Sequence, residues 1–334
     1  MVKLLFLIIL PVVVFSIYPY LDHPPIFLFE DGYVLLDVQI SNPSTLSVLV
    51  SVKNDEFYLL DGASDRHRLK IPVKEDFRYH LIVGNYDKSG EVVFPSKNLD
   101  EATMLIYGDT RNNKTVQEKI VSLGKAMGAE FLVHLGDIAF TDLNDREWER
   151  FFKIVSDFGK VIFTVKGNHE TPGFRYAEYL YPPNYSFEIG NFNFIVLDGG
   201  TFPEILEVNL KRLLRKDMVN IVLIHEPFYS CSNHSSDIFI ILQKKFASAL
   251  KKYGVKYVVS SHDHNYQRIE RNGLVQIIIG GGGAPMYKIK RKCNGLKSFS
   301  EKYSFAIARI SRNKIYFKVY DLDKNLIDSL VIEK

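Results

Sequence analysis

Five short apolar runs between Met104 and Ser260 each stop abruptly and give way to Asp, Asn or His. Met104-Leu105-Ile106-Tyr107 leads into Gly108-Asp109, and Phe131-Leu132-Val133-His134-Leu135 into Gly136-Asp137. Val161-Ile162-Phe163-Thr164-Val165 leads into Lys166-Gly167-Asn168-His169-Glu170. Ile221-Val222-Leu223-Ile224 runs straight into His225, and Tyr257-Val258-Val259-Ser260 into Ser261-His262-Asp263-His264. Such runs are short, rich in β-branched residues and apolar throughout, which reads as strands buried on both faces. Helical patterns near Thr115–Met127 and Asp145–Phe158 alternate with them. Strand–helix alternation of this kind predicts an α/β domain. In such sheets ligands bind at the carboxyl ends of the strands, so the polar residues are expected to converge on one rim.

Carboxylate oxygens together with imidazole nitrogens suit Zn, Fe or Mn, whereas calcium favours oxygen alone. Two divalent ions roughly 3.5–4 Å apart can clamp a phosphoryl group and generate hydroxide at neutral pH. One carboxylate must then bridge them, and Asp137 is the choice. The glycine before each Asp allows a sharp turn and a close approach of backbone. Each fragment alone has a plain structural reading: Gly-Asp is commonly a turn, and a lone His225 is commonly a core or surface histidine. Ser260 and Ser261 lack the elbow of a serine hydrolase. The glycines at 280–283 lack the Lys-Ser/Thr of a phosphate-binding loop, so a tight backbone passage is expected there. Trp148 on its helix reads as core.

The rest of the chain sets the frame. Of 334 residues 46% are apolar and 24% charged, with a net charge of +3, as in a globular protein able to bury a large core. No Lys/Arg block marks a nucleic-acid stripe, so none is expected as a partner. Residues 1–17, a basic start and an apolar stretch broken by Pro11, read as a signal peptide or an uncleaved membrane anchor, which places the protein outside the cell or on its surface. The two cysteines, Cys231 and Cys293, lie in loop-like sequence and are expected to pair in an oxidising compartment; the alternative is two free thiols. Short runs such as Tyr33–Val38, Leu46–Val52 and Tyr79–Val83 predict a small all-β sandwich over 25–98, and the tail from Gln276 onward reads as mostly strand.

In order, the motifs GD, GD, GNHE, a single His after a strand and SHDH over residues 103–264 resemble the calcineurin-like metallophosphoesterase superfamily. The β-rich N-terminal segment and Gly280-Gly281-Gly282-Gly283-Ala284-Pro285 make the resemblance closer to the purple acid phosphatases. That resemblance implies a four-layer α/β/β/α sandwich over 100–334 behind a fibronectin III-like unit. It also implies hydrolysis of phosphate esters, monoesters first, by hydroxide on a dinuclear metal site. A phosphodiesterase of the same superfamily and a catalytically weak surface binding protein are the alternatives. Carried over by position, metal one falls to Asp109, Asp137 and His264, and metal two to Asp137, Asn168, His225 and His262. His169 becomes the general acid for a small phosphorylated substrate, with Glu170 either orienting it or solvated.

Two departures stand out. Arg111 lies where many members carry a second metal ligand, and Phe140 where the purple enzymes carry a tyrosinate. Site one therefore lacks a protein ligand that water, Asn112 or backbone must replace, and a violet ferric centre is not expected. Arg111 is read either as a clamp on a substrate phosphate oxygen or as a surface ion pair. His234 either reaches the substrate or lies in an exposed loop. The pairing of Cys231 with Cys293 would bring the basic segment Lys288–Lys292 near the cleft.

Overall fold

The computed structural model describes residues 23–30, 32–84, 86–111, 113–180, 182–232, 238–288 and 294–334. The expected leader at 1–17, Asn112, His234 and Cys293 lie outside the described residues. Among the described residues no helix is long and apolar enough to cross a membrane.

The chain begins with five strands, β1 (His23–Glu30), β2 (Tyr33–Val52), β3 (Asp55–Ile71), β4 (Phe77–Val83) and β5 (Tyr86–Val92). There follow β6 (Glu101–Tyr107), α1 (Lys114–Ala126), β7 (Phe131–His134), α2 (Asp145–Ser156), β8 (Val161–Thr164) and α3 (Phe174–Leu180). The second half comprises β9 (Tyr185–Ile189), β10 (Phe192–Leu197), α4 (Pro203–Leu213), β11 (Val219–Ile224), α5 (Ile238–Lys252), β12 (Tyr257–Ser260), β13 (Tyr266–Arg271) and β14 (Leu274–Ile279). It closes with β15 (Leu296–Ser300), β16 (Ser304–Ser311), β17 (Lys314–Asp321) and β18 (Leu326–Glu333).

Two sheets result. The first runs β18-β17-β16-β6-β7-β8-β1-β2-β4-β5, with β3 on β2, and the second runs β15-β13-β14-β12-β11-β10-β9. Strand alternation sorts every side chain to one of two faces. Ile106, Val133 and Phe163 meet Phe194, Val196 and Leu223 in the core between the sheets. Leu105, Leu132 and Ile162 point the other way onto Val121 of α1 and Trp148 and Phe151 of α2. Ile195 and Val222 likewise leave the second sheet to meet Leu206 of α4 and Phe246 of α5. Helix, sheet, sheet and helix are thus the four layers expected, and the buried residues of strands are apolar on both faces because both faces are covered.

Runs 33–38 and 46–52 belong to one strand, β2, with register shifts against β3 between Gln39 and Leu46. The turn residues Asn42-Pro43-Ser44 fall in that irregularity, where the sequence reads as a break between two strands. β3 buries only His67 and Ile71, and Asp, Glu, Lys and Arg recur along it, so little apolar alternation marks it in the sequence.

The N-terminal strands also share a sheet with β6, β7 and β8. β1 lies parallel to β8, Phe27 opposite Val161 and Leu28 opposite Ile162. Phe27 is buried against Phe77 and Tyr79, with ring centroids 6.4 and 4.7 Å away. Arg66 and Arg68 of β3 donate to the Glu178 carbonyl on α3 at 2.8 and 2.9 Å, and Lys88 to the Ser156 carbonyl at 2.9 Å. A continuous sheet and core make the two parts unfold together. Phe27→Ala is expected to cost about 3–5 kcal/mol in urea unfolding, still in one transition; two separate transitions in calorimetry would show that the β1–β8 seam does not couple them.

Candidate metal centre

Three of the strand ends put their polar residue on backbone that a strand cannot continue. Asp109 after β6, Asp137 after β7 and His262 after β12 have φ of 58°, 56° and 69°. Left-handed backbone costs a residue with a Cβ roughly 1–3 kcal/mol and recurs where function fixes a side chain. Here it turns each chain sharply and aims the side chain back at the sheet rim. Gly136 has φ 95°, and a Cβ there would stand 2.7 Å from Nδ1 of His225. At Gly167 a Cβ would collide with the backbone nitrogen and Oδ1 of Asp137. These two glycines therefore let the ends of β7, β8 and β11 close on one another.

The convergence is tight. Asn168 Oδ1 lies 3.2 Å from Nε2 of His225 and 2.9 Å from Nδ1 of His262. Asp137 Oδ1 is 3.3 Å from that same His225 nitrogen. On the other side of Asp137, the Asp109 and His264 side chains complete a buried trio whose ligand atoms lie within 4.8 Å of one another. His264 Nε2 is 3.5 Å from Asp109 Oδ1. The six residues expected from the sequence are thus brought together in two groups that share Asp137.

Backbone carbonyls set the histidines. Nδ1 of His225 pairs with the Leu135 carbonyl at 2.7 Å, and Nδ1 of His264 with that of Pro285 at 2.8 Å. Each ring accordingly turns Nε2 to the centre, the orientation that an outer carbonyl gives a metal-binding imidazole. The glycine segment is the tight passage expected: Gly282 donates to the Gly108 carbonyl at 3.0 Å, Ala284 to that of Asp109 at 2.8 Å, and Pro285 arrives beside His264.

The field at the centre demands positive charge. Burial alone would raise the Asp137 carboxyl, but His225, His169 and Arg111 outweigh it and hold it well below the usual carboxylate range. Asp109 is likewise raised by burial and lowered, on balance, by His264 and His225. Burial lowers His225, yet Asp137 and Asp109 lift it well above its ordinary value. Oxygen and nitrogen donors packed at 2.9–3.3 Å in such a field fit a divalent cation, which would take the place of protons on the imidazoles.

His169 stands apart from the buried groups, with a quarter of its side chain exposed. Its Nδ1–H donates to the Phe140 carbonyl at 2.6 Å, which leaves Nε2 facing the cleft 3.8 Å from Asp137 Oδ2. Phe140, in the place of a tyrosinate, is half exposed and packs its ring 5.4 Å from that of His169. Arg111 is not a surface residue: it is 8% exposed, with Nη2 3.0 Å from His264 Nε2 and Nη1 3.6 Å from Asp137 Oδ2. His234 and Cys293 lie outside the described residues, and Cys231 is buried.

Glu170 neither orients His169 nor meets solvent. It is fully buried and accepts the N–H groups of Asp137, Ile138 and Gly167 at 2.8 Å each and of Ala139 at 3.2 Å. Burial and the Asp137 charge push its carboxyl up to about 7. It ties the Asp137 loop to the Asn168 loop, and its position next to His169 hid this because the 3₁₀ turn over Asn168–Glu170 sends successive side chains about 120° apart. Asp263, between the two histidines, is also buried; it accepts from Ser230 Oγ and from Gln267 Nε2 and so braces the His262–His264 turn. Neither support has a spacing signature in the sequence.

With this geometry in hand, comparison with known proteins adds that residues 102–266 match the calcineurin-like phosphoesterases. Those residues form a calcineurin-like phosphoesterase domain. No curated protein matches the chain. Among solved structures it is similar to a purple acid phosphatase, PPD1, from yellow lupin, with TM-score 0.77 and 16% identity over 95% of this chain and 75% of that one. It is also similar to PhoD, with TM-score 0.65 and 12% identity over 95% and 93% of the two chains. A third, GAP50, the anchor in the inner membrane complex of Plasmodium, gives 0.58 and 19% over 70% and 89%. At such identities the likeness establishes the fold, including the N-terminal strands.

Replacing Glu170 by Gln keeps the shape and swaps one accepting oxygen for a donor amide. The expected result is a 10–100-fold loss of divalent metal affinity by titration calorimetry and a lower melting temperature; wild-type values for both would show that Glu170 does not hold the two loops.

Proposed function

We propose that the protein is an exported, metal-dependent hydrolase of small phosphate monoesters. The observation that carries this is the meeting of Asp137, Asn168, His225 and His262 at 2.9–3.3 Å, with the half-free imidazole of His169 over the open side. In this reading Asp137, Asn168, His225 and His262 form one ligand set, and Asp109, Asp137 and His264 the other, for Fe, Mn or Zn. A divalent ion held there would polarise a phosphoryl oxygen and lower the pKa of a water molecule for attack.

The protein's own groups do the rest. Arg111 offers a fixed guanidinium beside Asp137, suited to a phosphate oxygen. His169 is pinned through Nδ1 to Phe140, so protonated Nε2 is the atom that can hand a proton to the departing alkoxide. His234 is assigned to substrate contact, and a Cys231–Cys293 disulfide to the wall of the cleft. Support for phosphoester hydrolysis comes from the domain family, and the choice of a monoester follows the purple acid phosphatase likeness, which covers 95% of this chain. Export rests on the apolar stretch at residues 1–17, and no nucleic-acid partner is proposed.

Metal-free protein resupplied singly with Mn, Zn or Fe should regain hydrolysis of p-nitrophenyl phosphate over its bis-ester, and Asp137→Asn should not. His169→Ala should cost about 10²–10⁴-fold on alkyl phosphates, whose leaving groups need a proton, and much less on p-nitrophenyl phosphate. Equal losses on both would remove His169 from the role of general acid. Failure of every metal on both ester types would favour a binding protein.

A further inference from the structure

We infer that the Arg111 guanidinium takes the place of the first metal, so that the centre holds one divalent ion, at Asp137, Asn168, His225 and His262, beside a side-chain cation. This rests on the reading of the cluster as the metal centre of a phosphoesterase, and it narrows the two-ion expectation. The argument turns on one nitrogen. Arg111 Nη2 is 3.0 Å from His264 Nε2, while Nδ1 of the same ring is 2.8 Å from the Pro285 carbonyl. A guanidinium is a donor only and stays charged, so Nε2 must accept and Nδ1–H must donate to the carbonyl. The lone pair that an ion in the first group would need is therefore already engaged.

The remaining atoms of that group agree. Nη1 of Arg111 sits 3.6 Å from Asp137 Oδ2, the oxygen turned toward the first group, while Oδ1 faces His225 in the second. Asp109 Oδ1, buried and without a hydrogen bond, lies 3.5 Å from the same His264 nitrogen. The guanidinium carbon lies 5.8 Å from the Phe140 ring centroid, a cation–π contact on its outer side. Arg111 thus brings its charge to the Asp137 carboxylate and the His264 imidazole, two of the three groups that would hold an ion, and an ion added there would meet it at close range. At the second group the contacts are those of Asn168, His225 and His262 with one another and with Asp137 Oδ1. The place of Arg111 two residues beyond Asp109, at 8% exposure, also leaves it little freedom to swing away.

The test is Mn(II) binding to the metal-free full chain, read by calorimetric stoichiometry and by the Mn(II) spin-resonance spectrum. The wild type should take up one equivalent with an isolated, uncoupled six-line signal. His264→Ala should keep that equivalent, and Asn168→Ala should weaken it at least about tenfold. Arg111→His should gain a second equivalent with a spin-coupled spectrum, and the added His264→Ala change should abolish the gain. Two equivalents with a coupled spectrum in the wild type, or loss of the single ion in His264→Ala, would overturn the inference and leave the metal-centre reading standing. No uptake by a wild type that circular dichroism shows to be folded would overturn both.

Discussion

Burying the Asp137 carboxylate is the constraint around which the centre is organised. An ionised carboxylate away from water is stable only where charge and hydrogen bonds replace its hydration. Asp137 has Arg111 and His169 on Oδ2, at 3.6 and 3.8 Å, and His225 and the His169 backbone N–H on Oδ1, at 3.3 and 3.1 Å. Those partners come from three separate chain segments besides its own, so the carboxylate is also the point at which the ends of β6, β7, β8 and β11 are held together. A second buried carboxylate, Glu170, works from behind through backbone N–H groups and never reaches the cleft.

Such a cluster needs a rigid floor, and the two-sheet core supplies it. The residues that alternate with the inward set, Leu105, Leu132 and Ile162 on one sheet and Ile195 and Val222 on the other, anchor helices on the outer faces. Each strand end is therefore fixed on both sides before its polar residue is reached. The left-handed turns at Asp109, Asp137 and His262 are affordable only because that packing over-determines them. The N-terminal strands add to the floor through the β1–β8 pairing and bring no His, Asp or Glu to the centre.

The strands that end in the clustered Asp, Asn and His residues and their layers are legible in the sequence because double-sided burial leaves unbroken apolar runs, and because a run that stops at Asp or His has few other uses. The same logic fails wherever the informative partner is backbone. Leu135 and Pro285 orient two imidazoles through their carbonyls, which any residue could offer. The four N–H groups gathered by Glu170 are equally silent. β3 escapes notice since it buries only two of its residues and charged ones recur along it, and β2 reads as two strands because Asn42-Pro43-Ser44 has the composition of a turn. Arg111 is visible as a departure, but that its charge lies at the first ligand group depends on a buried rotamer that spacing does not encode.

A guanidinium and a divalent ion answer the same electrostatic demand in different ways. The ion binds reversibly, accepts lone pairs from any direction and can lower the pKa of a water molecule. The guanidinium is covalently retained, donates in one plane and activates no water. A centre with one of each keeps a single nucleophile-generating site, set by Asn168, His225 and His262, while Arg111 holds a phosphate oxygen at fixed geometry against Asp137. Its occupancy then depends on one affinity rather than two, and His264 becomes the seat of an arginine: its lone pair orients Arg111, and Arg111 in turn joins His225 and His169 in keeping Asp137 ionised for the neighbouring ion.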